Sequence, residues 1–164
     1  EADIEKQTRA KVDQANVLLG QIAELNQQIV KIHAMGQNAN DLMDRRDLLV
    51  DELSKLINIE VNEDANGGYE ILLSGATFSD GSSIVLVNSR GDLLNTFSFE
   101  PVTDPNDPDV GKNKLHISLT TGYTIQNPSG EIFGYIKSIQ KVQQYHVELD
   151  ELVEIGRASC RERV

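Results

Sequence analysis

Residues 15–32 read ANVLLGQIAELNQQIVKI, and the spacing of their apolar side chains predicts the fold of this part of the chain. Apolar residues recur at alternating steps of three and four, which places them on one face of an α-helix. Polar residues, Asn26 among them, are expected to fill the other faces. Because a lone amphipathic helix is marginally stable in water, the apolar stripe must be buried against a partner helix. The stripe consists of Ala15, Leu18, Ile22, Leu25, Ile29 and Ile32.

The next segment, NDLMDRRDLLVDELSKL at 40–56, supplies a second amphipathic helix. Gly36 lies in the short connection between the two segments and is typical of a helix C-terminus. Asn40 or Asp41 is expected to cap the second helix, with Asp41 and Asp44 at the spacing of a capping box. A connection this short predicts an antiparallel helix pair. The apolar stripe of the second helix consists of Leu42, Leu49, Leu53 and Leu56.

Charged side chains crowd the second helix, where Asp44, Arg45, Arg46 and Asp47 are consecutive. An acid four residues before a base, as Asp41 is before Arg45, stabilises an exposed helix by about 0.3–0.5 kcal/mol. Carboxylates on one helix would need ligands from elsewhere to hold a metal. We therefore interpret the four consecutive residues as candidates for salt bridges, within the subunit or to a neighbouring subunit.

Between residues 58 and 127 the apolar period changes from the helical spacing to strict alternation, which is typical of β-strands. Turn sequences such as NEDANGG and NSRGD separate the alternating runs. The pattern predicts a small antiparallel β module. Its expected strands lie near 57–61, 69–73, 84–87, 93–99, 115–119 and 123–126.

A third helix is predicted over 128–153, with Ser129 as its N-cap. The sequence thus predicts an α+β fold, in which long antiparallel helices form a bundle that a β module interrupts. The expected units are a helical hairpin at 1–57, a β-rich insert at 58–127 and the returning helix at 128–153. The stripe of the returning helix consists of Ile132, Ile136, Ile139, Val142, His146, Leu149 and Val153.

The last eleven residues, EIGRASCRERV at 154–164, differ in character from the rest and include the single Cys160. They resemble the translation of a sequencing-library adapter, so we expect an artefact that is not part of the natural protein. Gly156 is expected to interrupt the helix. The chain begins at Glu1 without a methionine, and we expect it to be an internal fragment of a longer protein.

The composition argues against several classes of partner. The net charge of −11 disfavours nucleic acid and anionic membranes. We find no apolar run near the ~20 residues that a membrane-spanning helix needs.

No motif predicts an enzyme or a cofactor. His33, His116 and His146 lack the spacing of metal ligands. Asp104, Asn106, Asp107 and Asp109 supply oxygen atoms to a possible calcium loop, but Pro108 breaks the EF-hand spacing, so a rigid acidic loop is the preferred interpretation. Arg90-Gly91-Asp92 is explained by turn formation.

Two consecutive segments resemble the flagellar hook-associated protein 1 (FlgK) family: VDQANVLLGQIAELNQQIVKI (12–32) and NDLMDRRDLLVDELSKLINIEV (40–61). In that family an IA-LN-QI helix precedes an NDL-D-RD-L--EL helix. The family's G-Y-I hairpin is matched at 68–71, and GEIFGYIKSIQKVQQYHVELDELV (130–153) is similar to its later helix. Met43 and Arg45 stand where the family often has Leu and Gln, which leaves the apolar stripe intact. The resemblance covers nearly all of residues 4–153.

The resemblance implies a flagellin-like helical bundle and a structural role, without enzymatic activity or cofactor. It implies an extracellular hook–filament junction protein, exported through the flagellum's own channel without a cleaved signal peptide. The implied partners are identical subunits in a ring, the hook protein, the second junction protein or flagellin, and an export chaperone. The implied mechanism is assembly by side-by-side helix packing. The alternative is another extracellular coiled-coil module with a β knob, such as a flagellin-like or adhesin stalk.

Overall fold

The structure is a computed structural model that describes residues 2–78, 80–103, 105–106, 110–117, 123–125 and 130–161. Helices and strands follow one another in the order that the sequence predicts, and the mixed α+β fold is confirmed. The elements are α1 (Ala2–Ala34), α2 (Asn40–Leu56), β1 (Ile59–Glu63), β2 (Tyr69–Phe78), β3 (Ser83–Val87), β4 (Phe97–Pro101), β5 (Asn113–Ile117), β6 (Tyr123–Ile125) and α3 (Glu131–Arg161).

The turn between α1 and α2 closes through Gly36, whose φ of 73° is the left-handed conformation that glycine adopts without strain. The Gly36 amide donates to the carbonyl of His33, and the Gln37 amide donates to the carbonyl of Ile32. These two bonds form a Schellman motif, which satisfies carbonyls that the helix end would otherwise leave without partners. The sequence therefore ends α1 where predicted.

The start of α2 differs from the prediction, because the N-cap is Ala39 and no side chain caps the helix. Ala39 is only 6% exposed and packs with Leu25 and Ile29 of α1. Its carbonyl accepts the Met43 amide, the first bond of the helix. Apolar packing of Ala39 therefore sets the first turn, and the expected capping by Asn40 or Asp41 is wrong.

The β module contains two sheets within the described residues. β1, β2 and β3 are consecutive antiparallel neighbours, β6 pairs with the last residues of β2, and β4 pairs with β5 in a separate hairpin. In the β1–β2 turn, the Asp64 carboxylate accepts the amides of Asn66 and Gly68 at 2.9 and 2.8 Å. This is the side-chain turn chemistry expected of an aspartate followed by glycines.

The fourth strand begins later than predicted. Residues 93–95 lie instead against the edge of β3, where the amides of Leu94 and Asn95 both donate to the carbonyl of Leu86. Leu93 makes a single isolated bridge to Val87. The start of β4 is therefore set by strand pairing: residues 93–95 pair with β3 of one sheet, and β4 pairs with β5 of the other. The alternation of apolar residues in the sequence does not reveal this change of partner.

One apolar core joins the helices to the β module. α1 contributes Leu19 and Ile22, both fully buried, and β3 contributes Ile84 and Leu86 to the same cluster. The helix hairpin is thus packed on the β module and is not separate from it.

α3 is packed only near its start. Ile132 and Ile139 are buried, whereas Leu149 is 58% exposed and Val153 is 51% exposed. The helix also continues through Gly156 to Arg161, so the expected interruption at this glycine is wrong. A single glycine inside a helix costs only about 1 kcal/mol, less than a proline. The expected N-cap, Ser129, lies outside the described residues.

Candidate assembly site

The part of the chain that the structure describes holds no group of three or more His, Cys, Asp or Glu residues placed to bind a metal. No helix there is long and apolar enough to cross a membrane. Asp104, Asp107 and Asp109 of the acidic loop lie outside the described residues. His33 contacts the carbonyl of Asn66 through Nδ1 at 2.9 Å.

Among the described residues, Arg46 of α2 has the largest fully buried side chain. Its Nη1 donates to the carbonyl of Gly67 at 2.6 Å and to Oδ1 of Asn26 at 3.0 Å. Its Cζ lies 3.3 Å from the centroid of the Tyr69 ring, a cation–π contact. We call Asn26, Arg46, Gly67 and Tyr69, with the neighbouring Asp47, the Arg46 cluster.

Asn26 of α1, also fully buried, holds the first residue of β2 by both of its backbone groups. Its Nδ2 donates to the carbonyl of Tyr69 at 2.6 Å, and its Oδ1 accepts the Tyr69 amide at 3.2 Å. The Asn26 side chain therefore makes the pair of backbone hydrogen bonds that a neighbouring strand would make. The expectation that Asn26 fills an outer face of α1 is wrong. Asn26 lies four residues after Ile22 and three before Ile29, so its helical spacing was a signal in the sequence for the buried face.

Burial of the Arg46 cation is only partly compensated. Its Nε and Nη2 have no hydrogen-bond partner within the described structure. The nearest carboxylate oxygen, Oδ1 of Asp47, lies 4.0 Å from Nε, and the Asp47 side chain is 53% exposed. Removing a charge from water is costly, so the two strong bonds of Nη1 and the stacked ring must offset that cost. Arg46 is thus an internal anchor between α2 and the β1–β2 hairpin.

Tyr69 links the cluster to the surface. Burial raises the pKa of Tyr69 above its usual value of 10.0, the nearby Asp47 carboxylate raises the pKa further, and the Arg46 guanidinium offsets part of the rise. The charged form of the tyrosine is thus disfavoured in the folded protein relative to the unfolded chain.

The raised pKa of Tyr69 predicts a loss of stability in alkali. The unfolded chain releases the Tyr69 proton near pH 10, before the folded protein does. The stabilising contribution is therefore complete below pH 10 and is lost as the pH rises through the folded pKa. Denaturant unfolding between pH 9 and 11.5 should show a shallower decline for Tyr69→Phe, which keeps the ring over Arg46. Parallel curves for the two proteins would contradict this linkage.

The other predicted salt-bridge residues lie elsewhere. Asp44 and Arg45 are exposed, and neither forms an ion pair with a described residue of this chain. A pairing of either residue with a neighbouring subunit stays a prediction. An ion pair that the sequence analysis missed joins Lys11 Nζ to Glu131 Oε1 at 3.1 Å and connects α1 to α3.

The predicted stripe residues divide into three groups. Those of α1 and α2 mostly face the core, whereas the stripe of α3 leaves the core after Ile139. The buried members are Ala15, Leu18, Ile22, Leu25, Ile29, Leu53, Leu56, Ile132 and Ile139. The half-buried members are Ile32, Leu42, Leu49, Ile136 and Val142. His146, Leu149 and Val153 are exposed and do not pack against a described residue of the core.

Polar side chains of α1 bind the edge of β4, a contact that the sequence analysis also missed. Asn16 Nδ2 donates to the carbonyl of Phe97 at 2.7 Å, and Asn16 Oδ1 accepts the Phe97 amide at 2.8 Å. Arg9, seven residues earlier and thus on the same face, donates to the carbonyl of Phe99 at 2.6 Å. The heptad spacing of these two polar residues was a usable signal. α1 therefore forms side-chain hydrogen bonds with strands of both sheets.

These contacts leave one long face of α2 in solvent. Leu48 lies on that face and is 66% exposed, with charged residues at helical spacing around it. The Arg46 cluster connects the opposite face to α1 and to the β1–β2 hairpin. The arrangement is suited to presenting a helix surface to a partner. The charged exposed members of this α2 face are Asp41, Asp44, Arg45, Asp51, Glu52 and Lys55.

Comparison with known proteins identifies relatives of this architecture. The flagellar hook-associated protein FlgK helical domain matches residues 1–155 of the chain. Flagellar hook-associated protein 1 of Escherichia coli (strain K12) is 41% identical over 78 residues, 46% of this chain and 13% of that protein. The Bacillus subtilis (strain 168) protein of the same name is 33% identical over 79 residues, 48% of this chain and 16% of that protein.

Flagellar hook-associated protein 1 of Salmonella typhimurium (strain LT2) is 40% identical over 77 residues, 45% of this chain and 14% of that protein. The matched stretch is thus a small part of each relative's length. The match to the helical domain, in contrast, extends over almost all of this chain. The chain therefore belongs to the family of the flagellar hook-associated protein FlgK helical domain.

Proposed function

We propose that this chain is part of a structural flagellar protein that joins hook to filament and assembles by helix packing into a ring of identical subunits. The observation that carries the proposal is the match of the FlgK helical domain to residues 1–155. The relatives named flagellar hook-associated protein 1 support it. A generic coiled-coil stalk offers no reason for this match.

The exposed α2 face supports a role in subunit contact. A protein–protein interface commonly combines an apolar centre with a polar rim. Leu48 would supply the apolar centre, and Asp44 and Arg45 would pair with charges of the neighbouring subunit. The Arg46 cluster supports this role because a helix that is already fixed by internal contacts needs less ordering on association.

The proposed partners are copies of the same protein, the hook protein, the second junction protein or flagellin, and an export chaperone. The proposed location is the extracellular flagellum, reached through the flagellar export channel. We assign no reaction and no cofactor to the chain. Its contribution to the junction is mechanical: side-by-side helical contacts pass from one subunit to the next.

Deletion of the gene in the source bacterium tests the junction role. Cells without the protein should build hooks that carry no filament, because nothing would connect the two structures. Electron microscopy of the cells and a swimming assay measure this result, with the full-length gene restored on a plasmid as control. Normal filaments on hooks of the deletion strain would refute the junction role.

A charge reversal tests the α2 face in the same strain. Arg45→Glu in the full-length protein should weaken the contact between subunits about fivefold, since an interfacial charge pair contributes about 1 kcal/mol. The number of attached filaments should fall, while thermal stability of the subunit stays unchanged. Lys31→Glu, an exposed reversal at the end of α1, is the matched control. Equal filament counts for the two variants would remove Arg45 from the interface.

A further inference from the structure

The second half of α3 carries an apolar surface that nothing described in this chain covers. Tyr145 is 53% exposed, Leu149 58%, Leu152 63% and Val153 51%. Their spacing of three and four residues places them on one helix face together with the half-buried Val142. We call Val142, Tyr145, Leu149, Leu152 and Val153 the distal stripe. So many large apolar residues on one face mark an interaction surface, because a solitary exposed helix is unstable in water.

The direction of α3 shows where this surface lies. The ion pair between Lys11 and Glu131 places the start of α3 beside the third turn of α1. Ile4, two turns nearer the start of α1, is half-buried against the core cluster that contains Ile139. α3 therefore runs antiparallel to α1, toward its first residues. In this orientation, Val142, which lies 11 residues after Glu131, is placed near the first residue of α1, and the rest of the distal stripe extends beyond it.

We propose that the distal stripe is covered by the polypeptide that precedes Glu1 in the full-length protein, which continues α1 as an amphipathic helix. At 1.5 Å per residue in both helices, Val153 would lie opposite a position about ten residues before Glu1. The α1–α3 interface that begins at Lys11 and Glu131 would be extended in the same antiparallel direction. The match of this chain to a small part of much longer relatives leaves length for such a segment.

Charge favours this occupant over a second copy of the chain. Glu148 and Asp150 flank the distal stripe, and Glu151 follows on the same stretch of helix. Two copies would bring these acids together, in a chain of net charge −11. The segment before Glu1 is therefore expected to carry apolar residues at helical spacing with Lys or Arg beside them. This proposal concerns folding of the subunit and does not rest on ring assembly.

A site-specific cross-link in the full-length protein tests the proposal. Leu149 is replaced by the photoreactive residue p-benzoylphenylalanine, and unlabelled protein is mixed with an equal amount of ¹⁵N-labelled protein before irradiation. We expect cross-links within one molecule to a peptide that ends within about 15 residues before Glu1. The same replacement at Val17, which is 59% exposed on α1, should not give that peptide.

Each other result overturns the proposal. Cross-links that join labelled to unlabelled chains would assign the distal stripe to a second copy. Cross-links to a different region, or none from Leu149, would also refute it. A second measurement is amide hydrogen exchange of residues 142–153 in the full-length protein. The double variant Leu149→Asp, Leu152→Asp should speed this exchange at least about tenfold, and Val17→Asp should not. Unchanged exchange in the double variant would count against the proposal.

Discussion

Arg46→Ala is expected to lower the free energy of unfolding by about 3 kcal/mol, whereas Arg45→Ala should change it by less than about 0.5 kcal/mol. The two arginines are adjacent on α2, but Arg46 is fully buried and Arg45 is exposed. The truncation leaves the carbonyl of Gly67 without its 2.6 Å donor. It also removes the contact with the Tyr69 ring and leaves a cavity between α2 and the hairpin.

Urea unfolding of the two variants, followed by circular dichroism, measures this difference. Arg46→Met separates packing from hydrogen bonding, because methionine refills much of the volume but donates no hydrogen bond. We expect it to lie between the wild type and Arg46→Ala. If Arg46→Met proved more stable than the wild type, the desolvation of the cation would exceed what its bonds return. Equal effects of Arg45→Ala and Arg46→Ala would contradict the burial of Arg46.

Gly91→Ala should destabilise the protein by about 3–4 kcal/mol, and Gly81→Ala by only about 1–2 kcal/mol. Both glycines have left-handed backbones, with φ of 88° and 85°, so alanine is strained at either position. They differ in the space around them. A Cβ on Gly91 would collide with the carbonyl of Ala23 and with Gln27 on α1, whereas a Cβ on Gly81 meets nothing within 4 Å.

Thermal and urea unfolding measure the free energy of unfolding of the two alanine variants. The difference between them separates the steric effect of packing on α1 from the backbone strain that both variants share. The extra loss at Gly91 reports the packing of the 88–92 turn on α1, where the Gln27 side chain also donates to the Gly91 carbonyl at 2.9 Å. The loss should be smaller if Ala23 and Gln27 can move away. Equal losses at the two glycines would mean that the turn is not held against α1 in solution.

The losses of stability expected for Arg46→Ala and Gly91→Ala both report how the β module is attached to α1. Arg46 and Asn26 hold one end of the first sheet, and the turn at Gly91 holds its third strand. A variant that loosens these contacts should lower the stability of the helices and of the β module together, because they share one apolar core. Both variants therefore test whether the β module is packed on α1 as the contacts indicate.

Local periodicity was sufficient for the element order, because it depends on contacts between neighbours in sequence. The stripes of α1 and α2 and the alternation in β2 each report which face is buried. The end of α1 at Gly36 was predictable for the same reason, since the conformation of one residue decides it. The family resemblance also followed from the sequence, through the two consecutive helix motifs, and the match to residues 1–155 confirms it.

The roles of polar residues were not predictable in this way. Asn26, Arg46 and Tyr69 are separated by 20 and 23 residues, and each is ordinary in its own segment. Their meeting depends on three elements packing at once, which no local period describes. Arg46 and Arg45 are identical in type and adjacent in sequence, so composition alone does not distinguish the anchor from the exposed residue.

The sequence by itself therefore determined the α+β class, the helix hairpin with its glycine turn, and membership of the flagellar hook-associated family. Only the tertiary structure decided that Ala39 starts α2, that the Arg46 cation is buried, and that α3 leaves the core after Ile139. The physical reason is the distance along the sequence over which each interaction acts. Backbone propensity and periodic burial act over a few residues, whereas the cost of burying a polar group depends on partners brought by distant parts of the chain.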